Sequence, residues 1–386
     1  MSFGVLYGCN EEAWGVKGST ESEGFLSRLR ARTLLGDNVF EIAPTLVVAF
    51  LCLTYQEYVL SQPSLFSILF SIPLATWVYR RYSASLAALL IYIVTRVNYT
   101  FLVGSDGGRS EVMDWFLSMK GLSYWLLMFV SAHLLMTRRR IYLLIPVLLL
   151  TAFWMILSHF ASIPSGLFPN LAFNGGFIGV LAPFAAPLGW VMFLLPITAI
   201  ACATGASGIV VGTATIVSYF WQVTSGKLLR IILFPLLALA TAATLYAFTA
   251  GHFAESDRLS IYQLALQYAT ADIDRLVFGS GLGSWVTTGM PLALKSGIAK
   301  DEGLWMFLHS DWLQCLFELG LLGVSLTLAV FVECLVMTYM KRPIIFSSLL
   351  GAGIFGVFYF PMQLPGSAFV VMCLVVASLR GRDEAE

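Results

Sequence analysis

Windows of about 20 apolar residues recur along this chain from Glu41 to Leu379, and each is long enough to cross a hydrocarbon layer about 30 Å thick. That repetition leaves few folds open. Of 386 residues, 58% are hydrophobic and only 11% are charged, well under the roughly 25% charge of an ordinary soluble domain. The windows predict an all-α polytopic membrane protein, because a helix satisfies its own backbone N–H and C=O groups where no water can reach them.

The first window runs from Glu41 to about Val59, and Pro63 turns the chain into a second that ends at Arg80-Arg81. A third, Ser85 to Val103, contains Arg96; a fourth ends at Arg138-Arg139-Arg140; a fifth spans Ile141 to His159. Pro164, Pro169 and Gly175-Gly176 read as a loop. The block from Phe177 to Trp221 is too long for one crossing, and Pro187, Pro196, Gly205 and Gly208 mark places to cut it into about three. A ninth window covers Ile231 to Ala250, and three more follow at Leu316 to Met340, Ile344 to Tyr359 and Ser367 to Leu379. The expected organisation is a cytoplasmic segment (1–40), a bundle of about nine spans (41–250), an extracytoplasmic loop carrying an amphipathic helix (251–308), about three further spans (309–380) and a cytoplasmic tail (381–386), roughly twelve transmembrane helices in all.

Charge placement tests that count independently of hydropathy. With a cytoplasmic start, one side receives Arg28, Arg30, Arg32, Arg80, Arg81, Arg138, Arg139, Arg140, Lys227, Arg230, Lys341, Arg342, Arg380 and Arg382. The other receives only Arg109, Lys120, Arg258, Arg275, Lys295 and Lys300. Both termini are therefore predicted cytoplasmic, with the large loop outside. No apolar core followed by a small-residue cleavage site precedes the first span, so no cleavable signal peptide is expected. The formal net charge of zero says little about partners, since what matters in a membrane protein is where charges sit relative to the bilayer; no nucleic-acid partner is expected. Six cysteines lie in the polar head or in apolar spans without C-x-x-C spacing, which reads as buried or cytoplasmic thiols.

The segment from His252 to Gly323 stands out as both polar and patterned. Ser256-Asp257-Arg258 resembles a helix start, and Leu259, Tyr262, Leu266, Ala269, Ile273 and Leu276 recur at helical spacing, predicting one face on the bundle or at the interface. Arg258 then sits at the helix mouth. Its planar fork suits a diphosphate; an interfacial arginine paired with lipid phosphate or Asp257 is the competing reading. Gly279-Ser280-Gly281-Leu282-Gly283 lacks the Gly-Lys-Ser/Thr ending of a phosphate loop and no strand precedes it, so it reads as a turn. In His309-Ser310-Asp311 the three residue types of a hydrolase triad are adjacent, which excludes the relay geometry. His309 is either a structural histidine or a base for a hydroxyl proton. A regular helix from His309 places Glu318 on its far side, so the two are not read as a dyad. Arg96, inside a span, is either functional or snorkels to the outer interface. His133, His159 and His252 show no metal-ligand spacing, and no metal or other cofactor is expected.

Taken together, R-L-x-x-Y-x-x-A-L, G-S-G-L-G-S-W and H-S-D-W-L-Q-x-L-x-E-L-G-L-L-G, from Arg258 to Gly323, resemble the signature of the O-antigen polymerase and O-antigen ligase family. These are bacterial inner-membrane glycosyltransferases, including exopolysaccharide polymerases, that act on undecaprenyl-diphosphate-linked glycans. The resemblance implies catalytic roles for Arg258 on the donor diphosphate and His309 on the acceptor hydroxyl. It implies turn roles for Gly279, Gly281, Gly283, Gly320 and Gly323, and a periplasmic place for the loop. The stretch F-P-N-L-A-F-N-G-G is similar to the family's Asn-containing loop, adding Asn170 and Asn174 as substrate-binding candidates. Many relatives carry Ser-Arg-Gly after a mid-chain span; Thr204 to Ile209 here has no arginine, so either Arg96, Arg275, Lys295 or Lys300 supplies that charge or the donor is held differently. Ser310 stands where relatives often have Asn. The reading that follows is a polymerase joining lipid-linked repeat units without a metal, with the membrane lipid and the lipid-linked glycan as partners; such enzymes can also take a regulator of chain length. A ligase moving the glycan to a lipid A core or a protein is the alternative. A lipid-glycan or polysaccharide transporter is the alternative of another class, disfavoured by the lack of an internal repeat and by few charges in the spans.

Overall fold

A computed structural model describes residues 72, 74–96, 125–134, 140–161, 168, 170–203, 206–224, 258–298 and 308–380. Backbone contacts divide the chain into Met1–Leu51, which lies outside the described residues, and Cys52–Glu386, which holds all of them. Among the described residues 86% are helical and no strand occurs. The expected spans before residue 72, the window Ile231 to Ala250 and the tail 381–386 lie outside them, as do Arg109, Lys120, Arg138, Arg139, Lys227, Arg230 and Lys300.

The main helices are α1 (Ala84–Thr95), α2 (Leu144–Ala161), α3 (Leu171–Leu181), α4 (Leu194–Cys202), α5 (Ala206–Val223), α6 (Arg258–Thr270), α7 (Ile273–Phe278), α8 (Met290–Lys295), α9 (Asp311–Thr338), α10 (Pro343–Phe358) and α11 (Pro365–Leu379). Among the described residues two stretches are long and apolar enough to cross a membrane, Ile141–Ala161 and Asp311–Thr338. Only 39% and 28% of these apolar windows are buried within the protein; Leu150, Phe153, Phe160 and Val336 point outward. A lipid solvent accepts such a surface, whereas a soluble protein hides it.

The other apolar windows appear as helices of 10–17 residues, so the expectation of about twelve full-length crossings is not met by helix length among the described residues. The physical cause is visible between Phe177 and Trp221. Pro187 lies in a 3-10 segment, Ala182–Leu188, that ends at Gly189 with φ 105°, and there the helix breaks. Pro196 instead sits in the first turn of α4, where a missing N–H costs nothing. Gly175 and Gly176, expected in a loop, are inside α3. They are there because α3 and α5 approach closely: a Cβ on Gly179 would lie 2.8 Å from the Gly212 nitrogen, and one on Gly208 would lie 3.0 Å from the Gly175 carbonyl carbon. Each helix thus offers a G-x-x-x-G stripe (Gly175/Gly179 and Gly208/Gly212), and the Thr215 hydroxyl donates across to the Gly179 carbonyl at 2.8 Å. Small residues and short hydrogen bonds are how helices associate where lipid removes the hydrophobic drive.

Helices α3, α5 and α10 form one packed group, and α9 packs on α10, α1 and α11. Phe173, Phe177, Phe184 and Phe355 fill the centre of the first group. The first half of α9 also carries α6 and α7, which is how the polar segment is held against the bundle. On α6 the buried stripe is Ile261, Ala265 and Ala269. Of the face expected from spacing Ala269 is buried, whereas Leu259, Leu266 and Ile273 are exposed. Ala265 lets α6 sit close to Phe317 and Trp285, in a cluster with Ile261 and Leu308, while Leu259 and Leu266 turn outward. The helix also stops at Thr270, because the Asp272 carboxylate caps a new start by accepting from the Asp274 N–H at 3.0 Å.

Candidate functional site

α9 is two helices joined at Gly320, whose φ of 68° and ψ of −172° break the helical run. The break leaves the last carbonyls of the first half without helical donors. The glycine turn supplies them: Ser280 N–H donates to the Phe317 carbonyl and Gly281 N–H to the Glu318 carbonyl, both at 2.9 Å. The Tyr92 hydroxyl of α1 donates to the Leu319 carbonyl at 2.7 Å and is shared with the Phe278 carbonyl at 3.0 Å. Gly279, Gly281 and Gly283 all take positive φ. The backbones are in contact: a Cβ on Gly279 would lie 2.5 Å from the Gly320 nitrogen, and one on Gly320 would lie 2.5 Å from the Gly279 nitrogen. Gly323 lies just past the break within α9, where a Cβ would stand 2.2 Å from the Leu319 Cβ and 3.2 Å from the Tyr92 ring.

Glu318 is buried beside this turn. Its carboxylate accepts from the Gly283 N–H and from the Gln314 amide, each at 3.0 Å. Arg96 ends α1 and joins the same network, its Nη2 donating to the Gly279 carbonyl at 2.8 Å and its own carbonyl accepting from Leu282 N–H at 3.0 Å. Residues 280–283 therefore spend their N–H groups on protein acceptors. A phosphate-binding loop does the opposite and aims them at the ligand.

A second cluster forms at the other end of the first half of α9. Ser310 caps the helix, its Oγ accepting from Leu313 N–H at 3.4 Å and donating to the Gly356 carbonyl at 3.3 Å. Asp311 Oδ2 accepts from Met362 N–H at 2.8 Å, and Asp311 N–H donates to the Tyr359 carbonyl at 3.0 Å. Ser310 and Asp311 thus anchor the chain after α10. His309, just before the cap, has φ 57°, a conformation that non-glycine residues occupy at a cost of roughly 1–3 kcal/mol and that gathers at functional sites. The Tyr262 hydroxyl of α6 donates to the His309 carbonyl at 2.8 Å, and the imidazole meets the Phe360 ring edge to face, 5.0 Å between centroids. Arg258, one turn before Tyr262 on α6, lies over the Tyr359 ring with Cζ 5.2 Å from its centroid. Arg258 and His309 are thereby seated on adjacent aromatic residues, beside a chain of aromatic rings reaching Phe173.

Burial pushes the Tyr262 phenol up to about 12, against an opposing pull from Arg258. Its folded-state pKa lies above the ordinary 10.0, so the stabilisation it contributes is complete below pH 10 and is lost as pH rises towards 12. Tyr262→Phe is expected to lower stability by about 1 kcal/mol at neutral pH, the net worth of one hydrogen bond. It should also flatten the alkaline limb of a thermal-unfolding series; a variant with the parent's limb would show that Tyr262 does not titrate with unfolding.

The remaining predicted groups do not converge on one point. Asp311 and Gly320 are about 13 Å apart along α9 at about 1.5 Å per residue, which separates the Arg258/His309 cluster from Arg96. The Arg275 guanidinium covers the Tyr268 ring at 4.5 Å, and Tyr268 in turn stacks on Phe317. Lys295 is exposed at the end of α8, and Lys300 lies outside the described residues. Asn170 caps α3, accepting from Phe173 N–H at 3.1 Å. Asn174 is buried, accepting from Phe168 N–H at 3.1 Å and donating to the Phe168 and Asn170 carbonyls at 2.6 and 3.1 Å. That amide holds the entry to α3 in place.

Tyr92, Tyr359 and Phe360 were not singled out from sequence. The available signal at Tyr359-Phe360 was an aromatic pair closing an apolar window before Pro361, which reads equally well as an interfacial belt.

No protein-family model matches the chain, and no curated protein matches it either.

Proposed function

We propose that this chain is a bacterial inner-membrane glycosyltransferase of the O-antigen polymerase type, joining undecaprenyl-diphosphate-linked repeat units into O-antigen or exopolysaccharide. The observation that carries the reading is the seating of Arg258 and His309 on the adjacent residues Tyr359 and Phe360. These groups lie far apart in sequence and are the two for which the resemblance implies chemistry. In this reading the apolar windows make about twelve crossings, both termini face the cytoplasm, and α6 to α8 lie on the periplasmic side.

The reaction follows from the two groups. The acceptor sugar hydroxyl gives its proton to the His309 imidazole as its oxygen bonds to the donor's anomeric carbon. The carbon–oxygen bond to the diphosphate breaks, and the leaving diphosphate carries away the electron pair, its charge met by the Arg258 guanidinium. Attack opposite the leaving group inverts the anomeric centre.

The glycan pattern of a deletion strain tests the reading. A polymerase deletion is expected to leave single repeat units on the surface acceptor. Long chains stranded on the carrier lipid would indicate a ligase instead, and lipid-linked units retained on the cytoplasmic side would indicate a transporter.

A further inference from the structure

We infer that Tyr359 and Phe360 are positioning residues, a fixed aromatic platform that sets the Arg258 guanidinium and the His309 imidazole for the transfer. This rests on the function proposed above. Three observations carry it. Tyr359 is only 4% exposed, so its ring is not an interfacial belt residue lying among lipid headgroups; its upper face is taken by Arg258. The backbone beneath the rings is tied on both sides: Tyr359 N–H donates to the Phe355 carbonyl at 2.9 Å, and its carbonyl accepts from Asp311 N–H at 3.0 Å. Both rings are also backed by Phe173, 5.7 Å from each centroid.

The chemistry suits the task. A ring quadrupole holds a guanidinium without using an N–H donor, which matters where donors must meet the oxygens of a diphosphate. Phe360 fixes the plane of the imidazole by an edge contact, while Tyr262 holds the backbone of the same histidine from α6. Because Arg258 and Tyr262 share one helix, any shift of α6 moves both groups relative to the platform together. Productive geometry tolerates little displacement.

The test uses the full chain in detergent, with a polyprenyl diphosphate bearing no sugar as the binding probe and transfer from a lipid-linked oligosaccharide as the activity. Tyr359→Leu should weaken probe binding about tenfold, the scale of a partly desolvated cation–π contact, and Tyr359→Phe should stay within about twofold because the ring is kept. In an Arg258→Ala background, Tyr359→Leu should add less than about twofold. Phe360→Leu should lower kcat about tenfold with probe binding unchanged, since it supports the base rather than the donor site. Parent-like binding by Tyr359→Leu, or an equal further loss in the Arg258→Ala background, overturns the role of Tyr359; parent-like kcat in Phe360→Leu overturns that of Phe360. Should Tyr359→Leu not fold, Tyr359→Met is judged by the same cycle. A parent chain that does not bind the probe at all removes the proposed function and this inference together, whereas normal probe binding with neutral variants removes the inference alone.

Discussion

Gly279→Ala is expected to deprive the chain of its folded state. The residue has φ 75° and ψ 180°, a combination reserved for glycine whose occupation by another residue costs roughly 1–3 kcal/mol. Strain is the smaller part. A methyl group there would stand 2.5 Å from the Gly320 nitrogen and against the Glu318 carbonyl, so the turn must lift away from α9. Lifting it removes the donors that Ser280 and Gly281 present to the Phe317 and Glu318 carbonyls, leaving buried acceptors unsatisfied at about 1–3 kcal/mol each. The sum is comparable to the whole stability of a typical domain, about 5–15 kcal/mol. Gly297→Ala is the matched control, because Gly297 has φ 70° with nothing within 4 Å of its Cβ position; it should cost only about 1 kcal/mol. Thermal unfolding in detergent separates the two. Equal melting temperatures would mean that the turn and the α9 break are not interlocked.

His309→Ala should reduce glycan transfer by about 10²–10⁴-fold, the usual contribution of a general base, without unfolding the protein. The imidazole packs on Phe360, while the backbone restraints on this position, the Tyr262 hydrogen bond and the Ser310 cap, do not involve the side chain. Alanine tolerates positive φ somewhat less readily than histidine, which adds only a small cost. Arg258→Lys should retain partial activity, because the ammonium keeps the charge over Tyr359 but lacks the planar fork. Normal polymer length in His309→Ala cells would take His309 out of the mechanism. Full activity in Arg258→Ala would do the same for the diphosphate assignment.

How far the residues announced this arrangement varied with the kind of signal. The helical class was legible throughout, because apolar windows of this length have few alternatives. Helix lengths were less so. Proline at 187 broke a helix and proline at 196 did not, a difference of position within the turn that composition cannot express. The G-x-x-x-G stripes of α3 and α5 were present in the sequence but were read as loop and break signals, since glycine serves both purposes. Along α6, spacing placed Leu259, Leu266 and Ala269 on one face; Ala269 is buried, but packing against Phe317 and Trp285 selected Ile261 and Ala265 rather than the two leucines.

What the sequence determined by itself is local: helical windows, a turn needing several glycines, a cation and an imidazole with chemistry suited to a diphosphate and a hydroxyl. Tertiary structure alone decided which of these groups meet. Arg258 and Arg96 are equally plausible partners for a diphosphate by residue type, yet one lies over Tyr359 near His309 and the other is bound into the glycine turn. The cause is the break at Gly320, which leaves carbonyls that the turn and Tyr92 satisfy and so holds Arg96, one turn after Tyr92 on the same chain, at that end of α9. A contact that depends on where a helix stops hydrogen-bonding to itself has no signature in the spacing of the residues it joins.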